Sequence, residues 1–225
     1  MFIGIAGKAR SGKDTAADIL KELTNQATYS FANPLKKRVN LIFGWDERHG
    51  WGSLKEEKLY TRVVHKSEVN MLLNNFLFAF VEEEKQLKMH FDFYEVFQDF
   101  VSFDNLGFMQ WNISPRKAYQ LFGTEFARKR IKDSIWLDMA PTQGVIIPDV
   151  RFDNEAAFIK ENAGFIIKIE RDHTKINESS HSSEAGISEE FIDFIVDNNG
   201  TMKQLEKQIK DLHKVVNSGK YSKSK

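Results

Sequence analysis

The chain has 225 residues, 41% of them apolar, and its 32 basic side chains balance its 32 acidic ones. That is enough apolar material for one core, or one core with a large insertion, while zero net charge does not indicate a broad basic footprint for nucleic acid and leaves room for a local basic cleft. The lack of cysteine excludes disulfide scaffolds and thiolate metal sites; with no leader-like start and no apolar run near the roughly 18 residues of a membrane span, a cytoplasmic protein without membrane or nucleic-acid partners is expected.

Residues 2–6, Phe-Ile-Gly-Ile-Ala, read as a buried strand. Gly7 and Gly12 then bracket four residues, and Lys13 follows. G-x-x-x-x-G-K is the spacing of a loop that cradles phosphate. Such a loop must point its N–H groups inward, and glycine permits both that backbone shape and the close approach of an anion. The helix expected over residues 14–25 aims its N-terminus at the same charge, and Lys13 reaches the β- and γ-phosphates. Asp14 stands where this pattern has Ser or Thr to hold Mg²⁺, with Thr15 behind it. An Asp can hold a hard cation, directly or through water.

A second strand is expected at residues 28–31. Asn33-Pro34 reads as the cap and first position of a helix with Leu35, Val39, Ile42 and Phe43 on its apolar side. Lys36, Lys37 and Arg38 lie in its first turns, where cations oppose the dipole and are read as solvated. After a loop over 44–53, residues 54–108 have little turn punctuation. Phe76, Phe80, Phe91, Tyr94, Phe97 and Val101 recur at helical spacing, so a helical insertion is expected. Ser114-Pro115-Arg116 caps and starts a further helix that Gly123 ends. Thr124 then caps a helix to about residue 139 carrying Arg128, Lys129, Arg130 and Lys132.

Residues 145–149, ending Pro148-Asp149, read as a strand delivering a carboxylate beside the phosphate loop. A helix over 153–162, a strand over 164–170, a polar loop over 171–188, a strand over 191–196, a turn at 197–200 and an amphipathic helix over 201–217 follow. The tail, 218–225, is expected to be disordered.

Strands alternating with helices predict an α/β fold of the P-loop kinase type. A parallel sheet of about five strands is flanked by helices, with a helical acceptor-binding insertion over about 33–112 and a lid over about 123–140, in one domain, 1–217. The ligand crevice is expected at the carboxyl ends of the strands. Phosphoryl transfer needs positioning and positive charge more than covalent chemistry. Lys36, Arg116 and the cluster Arg128–Arg130 supply cations besides Lys13. A basic lid would exclude water. The six histidines show no metal-ligand pairing.

Several stretches together resemble the deoxynucleoside monophosphate kinases of T-even-like bacteriophages. They are Ala6–Thr15, Pro34-Leu-Lys36, Arg116-x-x-x-Gln120-x-x-Gly123-Thr124, Trp136, Pro148–Glu155 and His181–Gly186. The resemblance runs to about residue 200 and is weak over 45–112. It implies transfer of the γ-phosphoryl group of ATP to a deoxynucleoside monophosphate, with Mg²⁺ held near Asp14 and Asp149. It places Gly7 and Arg10, Ser11, Gly12, Lys13, Asp14 and Thr15 on ATP, and Leu35 and Lys36 on the monophosphate. Arg116, Gly123 and Thr124 would fix the acceptor, and Trp136 would lie against the nucleotide or brace the lid. Asp149, Arg151 and Glu155 would form the floor near metal and acceptor, and Arg128 or Arg130 would be the lid arginine. Trp136 as plain core, Glu155 as a first-turn carboxylate and Arg151 in a structural ion pair are the plainer alternatives. Other readings are a small-metabolite kinase similar to dephospho-coenzyme A or phosphomevalonate kinases, and a non-kinase ATP-binding module. A homodimer is left open.

Overall fold

The structure, a computed structural model, describes residues 1–50, 60–172 and 186–218. Residues 181–185 of the His181–Gly186 motif, Trp51, His173 and the tail beyond 218 lie outside the described residues. The chain divides into two compact units, residues 1–30 with 141–225, and residues 31–140.

The first unit is built on a parallel sheet of four strands: β1 (Ile3–Ala6), β5 (Ile146–Ile147), β6 (Phe165–Glu170) and β7 (Phe194–Asp197), in the order β5-β1-β6-β7. Alternation sorts β1 and β6 onto two buried faces. Ile3, Ile5, Phe165, Ile167 and Ile169 face α1 (Lys13–Thr24) and α7 (Met202–Asn217), which contribute Ala16, Ala17, Leu20, Leu205 and Ile209. On the other face Phe2 meets Phe158 edge-on at 5.5 Å. A side chain on Gly4 would strike Ile159 at 2.8 Å, so α6 (Asp153–Glu161) lies close there. Thr201 and Gln204 cap α7 reciprocally.

The strand expected at 28–31 is reduced to one parallel bridge, Thr28 with Ile146. The N–H of Tyr29 donates to the Ile146 carbonyl at 2.8 Å. Residues 145–149 pair over only two positions, because Pro148 has no N–H to give a ladder. The last strand begins three residues later than expected, after a 3₁₀ turn over Glu189–Phe191.

The second unit is not the all-helical insertion expected. Among its described residues it carries α2 (Ala32–Phe43), α3 (Lys66–Leu77), α4 (Glu83–Phe97) and α5 (Pro115–Gln120). It also carries an antiparallel sheet of β2 (Tyr60–His65), β4 (Phe108–Ile113) and β3 (Val101–Phe103), in that order. Met109, Trp111 and Ile113 of β4 point inward while Phe108, Gln110 and Asn112 point out. Trp111 sits 4.9 Å from Phe43 and 5.6 Å from Phe97, both edge-on, and Phe93 joins Phe97 to Phe126. Offset and edge-on contacts suit the quadrupoles of these rings. Phe91, placed in the apolar stripe by its spacing, is instead 69% exposed. Helix α2 begins at Ala32, so Asn33 is inside it rather than its cap. Ser114 does cap α5, accepting from the Lys117 N–H, with Pro115 at the first position. Gly123 does not end that helix. The rod continues as a π-helix over Leu121–Ile131, and Thr124 lies within it rather than at a new cap. Beyond Ile131 the segment to 139 is turns.

Candidate active site

In the first unit, β1 runs into the glycine-bounded loop, and the loop into α1. Gly7 has φ 142°, and a Cβ there would stand 2.5 Å from the Ile169 carbonyl oxygen. Gly12 has φ 103°, and a Cβ there would stand 2.3 Å from Nδ2 of Asn198. Both positions demand glycine for space and for conformation. Arg10 takes a left-handed φ of 62° and is exposed. Gly12 is the N-cap of α1 and supplies no side-chain acceptor, so the first N–H groups of that helix are available to an external anion. Ser11 is 1% exposed, and its Oγ has no hydrogen-bond partner among the described residues.

Lys13 folds over this loop. Its Nζ donates to the carbonyls of Gly7 at 2.8 Å and Lys8 at 2.9 Å, and lies 3.7 Å from Oδ1 of Asp149. Burial pushes its pKa below the ordinary 10.5, the Asp149 carboxylate opposes that shift, and Arg151 adds to it. Asp149 also receives Arg151, Nε to Oδ2 at 2.6 Å and Nη2 to Oδ2 at 2.5 Å. One carboxylate thus faces both the loop lysine and an arginine. Asp14, in the first turn of α1, is exposed, and Thr15 is half-buried.

Glu155 is 4% exposed and accepts the backbone N–H groups of Arg151 at 2.9 Å and Phe152 at 3.4 Å. It caps the start of α6 from within, as a first-turn carboxylate does. In this geometry its oxygen holds the Arg151 backbone.

In the second unit, Trp136 is 2% exposed. Its Nε1 donates to the Gly123 carbonyl at 3.1 Å and its ring stacks on Phe76 at 5.9 Å. It braces the π-helix through that bond. Leu35 packs on Gly123, where a Cβ would come 2.6 Å from Leu35 Cδ2. Lys36 and the Tyr119 hydroxyl both close on Gly50, and that hydroxyl donates to Asn40 Oδ1 at 2.6 Å. Arg116 is half-buried on α5, the helix that carries Tyr119, and Thr124 is half-buried. Arg128 is 8% exposed, its Nη1 3.8 Å from Asp133. Arg130 pairs with Glu95 at 3.2 Å and Asp92 at 3.5 Å.

Two connections escape a reading of the sequence. Asn198, part of an Asp-Asn-Asn-Gly turn, donates from Nδ2 to the Ser11 carbonyl at 2.7 Å. Tyr119 reaches Asn40 across 79 positions. Neither has a motif; each follows from side chains brought together by packing.

No group of three or more His, Asp or Glu side chains suited to a metal occurs among the described residues. Mg²⁺ that arrives on a nucleotide keeps its waters and takes only one or two carboxylates beside phosphate oxygens. Asp14 is exposed in the first turn of α1, and Asp149 already faces Lys13 and Arg151. No helix among the described residues is long and apolar enough to cross a membrane.

A family described as deoxynucleotide monophosphate kinase matches residues 1–209 of this chain. The chain is 28% identical over 225 residues to the deoxynucleoside-5'-monophosphate kinase of Escherichia phage T5, covering 85% of this chain and 87% of that protein. It is 23% identical over 242 residues to the deoxynucleotide monophosphate kinase of Enterobacteria phage T4, covering 96% and 99%.

Proposed function

Because the chain belongs to the deoxynucleotide monophosphate kinase family, we propose that it moves the γ-phosphoryl group of ATP onto a deoxynucleoside 5'-monophosphate, gripping ATP by the loop from Gly7 to Thr15. The observation that carries this reading is the loop itself. Left-handed backbone at Arg10, two obligate glycines and an uncapped helix start surround Lys13 Nζ.

The acceptor oxygen is already anionic, so no strong general base is required, and the work falls to charge and position. Lys13 leaves the carbonyls of Gly7 and Lys8 for the donor's phosphates. Arg151, steered by Asp149 and anchored by Glu155 at its backbone, presents charge at the same strand ends. Mg²⁺ bound beside Asp14 and Asp149 would neutralise charge on the β- and γ-oxygens. In the second unit, Leu35, Lys36, Arg116, Gly123 and Thr124 are assigned to the acceptor, and Trp136 to support of Gly123. Of the two lid candidates, Arg130 is the better. Its pair with the exposed Glu95 is weak, and the buried Asp92 keeps Lys88 as a partner when Arg130 leaves, whereas Arg128 is itself buried. The reaction draws on the cytoplasmic pools of ATP and deoxynucleotides.

The test is coupled ADP release with MgATP and each of dAMP, dCMP, dGMP and dTMP, against dephospho-coenzyme A and phosphomevalonate. Turnover with at least one deoxynucleoside monophosphate is expected. Turnover confined to a metabolite, or ATP hydrolysis without an acceptor, overturns the reading.

A further inference from the structure

We propose that Asn198 is a positioning residue for the phosphate loop, aiming the Gly12 N–H at the donor's phosphate chain; this rests on the reading that the loop binds ATP. Asn198 lies just past β7, is 8% exposed, and is pinned by its own N–H, which donates to the Glu170 carbonyl at 2.8 Å. Its side-chain Nδ2 donates to the Ser11 carbonyl at 2.7 Å. A trans peptide is planar, with C=O and N–H on opposite sides. Holding the Ser11 oxygen on the side of β7 therefore turns the N–H of the same peptide unit, that of Gly12, to the opposite side. Gly12 is also the N-cap of α1, so this N–H is one of the helix-start donors that have no acceptor within the helix.

Two further observations fit. The absent Cβ of Gly12 leaves the space that Nδ2 fills, with 2.3 Å between them, so the glycine serves the asparagine as much as the anion. The Ser11 Oγ, buried beside this peptide, has no partner among the described residues and does not itself hold the loop in shape. The turn of Ser11 and Gly12 depends on a residue 187 positions away. A carboxylate at 198 has the same shape but cannot donate, and it would repel the Ser11 oxygen.

The test uses the full chain with Asn198→Asp and Asn198→Ala. KM for ATP, KM for the deoxynucleoside monophosphate and kcat are measured together with thermal unfolding. Both variants should raise the KM for ATP by about ten-fold to a hundred-fold, the worth of one hydrogen bond to a charged group, while the acceptor KM stays within about two-fold of the original. A fall in unfolding temperature with the KM for ATP unchanged assigns Asn198 a merely structural role and overturns the proposal. Because either variant could fail to fold, the unaltered ¹⁵N-labelled protein is also titrated with ATP. The Gly12 amide proton should move downfield on binding. ATP binding that shifts other loop amides but leaves Gly12 unmoved overturns the proposal. Failure of the kinase reading shows separately, as absence of turnover with every monophosphate, and an unmoved Gly12 amide still overturns the aiming proposed for Asn198.

Discussion

Asp149 stands between Lys13 and Arg151, with Oδ1 3.7 Å from the lysine nitrogen and Oδ2 2.6 Å from Nε of the arginine. Alone, two cations in a half-buried loop would repel each other and lower the lysine's affinity for its proton. The shared carboxylate offsets that. It also raises the lysine's affinity for its proton, against the larger lowering by burial.

Lys13→Ala removes the charge that folds over the loop's own carbonyls at Gly7 and Lys8. The Lys8 carbonyl is exposed and the Gly7 carbonyl part-buried, so water can replace the lysine at the first and the unfolding temperature should fall only modestly. Transfer should fall by on the order of 10²–10³-fold, the cost of one well-placed charge-stabilising donor. Coupled ADP release beside thermal unfolding checks both halves, and unchanged turnover would contradict the assignment.

The lowered pKa of Lys13 has two consequences with opposite faces. Above its folded pKa and below 10.5, the unfolded chain keeps a proton that the folded chain has lost. The unfolded state then binds more protons, so this group's contribution to stability rises with pH through that window. Activity goes the other way. The alkaline limb of kcat/KM for ATP, which reports the free enzyme, should fall below pH 10.5. Asp149→Asn deletes the larger of the two carboxylates that raise the lysine's pKa, the other being Asp14, and should move that limb to lower pH. A limb that stays in place would show that Asp149 does not act on Lys13.

Trp136→Phe keeps the stack on Phe76 but loses the donor to the Gly123 carbonyl. Some volume is lost as well, and stability should fall by about 1–3 kcal/mol. Denaturant unfolding measures that, and KM values for both substrates should stay within about two-fold. A large rise in acceptor KM with stability unchanged would instead put the indole against the nucleotide.

Glu155→Ala should cost about 1–2 kcal/mol, because two N–H groups at the start of α6 lose their acceptor. Glu155→Gln retains a side-chain oxygen that can accept both, and should recover most of that stability and leave acceptor KM unchanged. If Glu155→Gln is as inactive as Glu155→Ala while folded, the negative charge itself is needed at the site.

Local features carried most of the readable signal. The phosphate loop needs Gly7, Gly12 and Lys13 at set spacing, and each requirement is visible in the residues themselves. Ser114 with Pro115, and the amphipathic period of α7, belong to the same kind. Features that depend on distant partners were hidden. Strands β2 and β4 pair Val64 with Met109 across more than forty positions, and an aromatic-rich stretch masked the alternation of β4. Gly123 looked like a helix end, yet Leu35 packs on it and Trp136 bonds to its carbonyl, so the rod runs through.

The sequence by itself determined the chemistry: a glycine-bounded cradle, a lysine, and a carboxylate placed at the end of a later strand. Those are short-range matters of backbone freedom and charge, written in contiguous residues. Only the tertiary structure decided which side chains support that chemistry. It buried Trp136 and Glu155 as braces, joined Arg151 to Asp149, and brought Asn198 to the Ser11 carbonyl. The physical reason is that a hydrogen bond or contact between remote residues leaves no period or spacing behind it, and exists only once the sheet and its helices have closed.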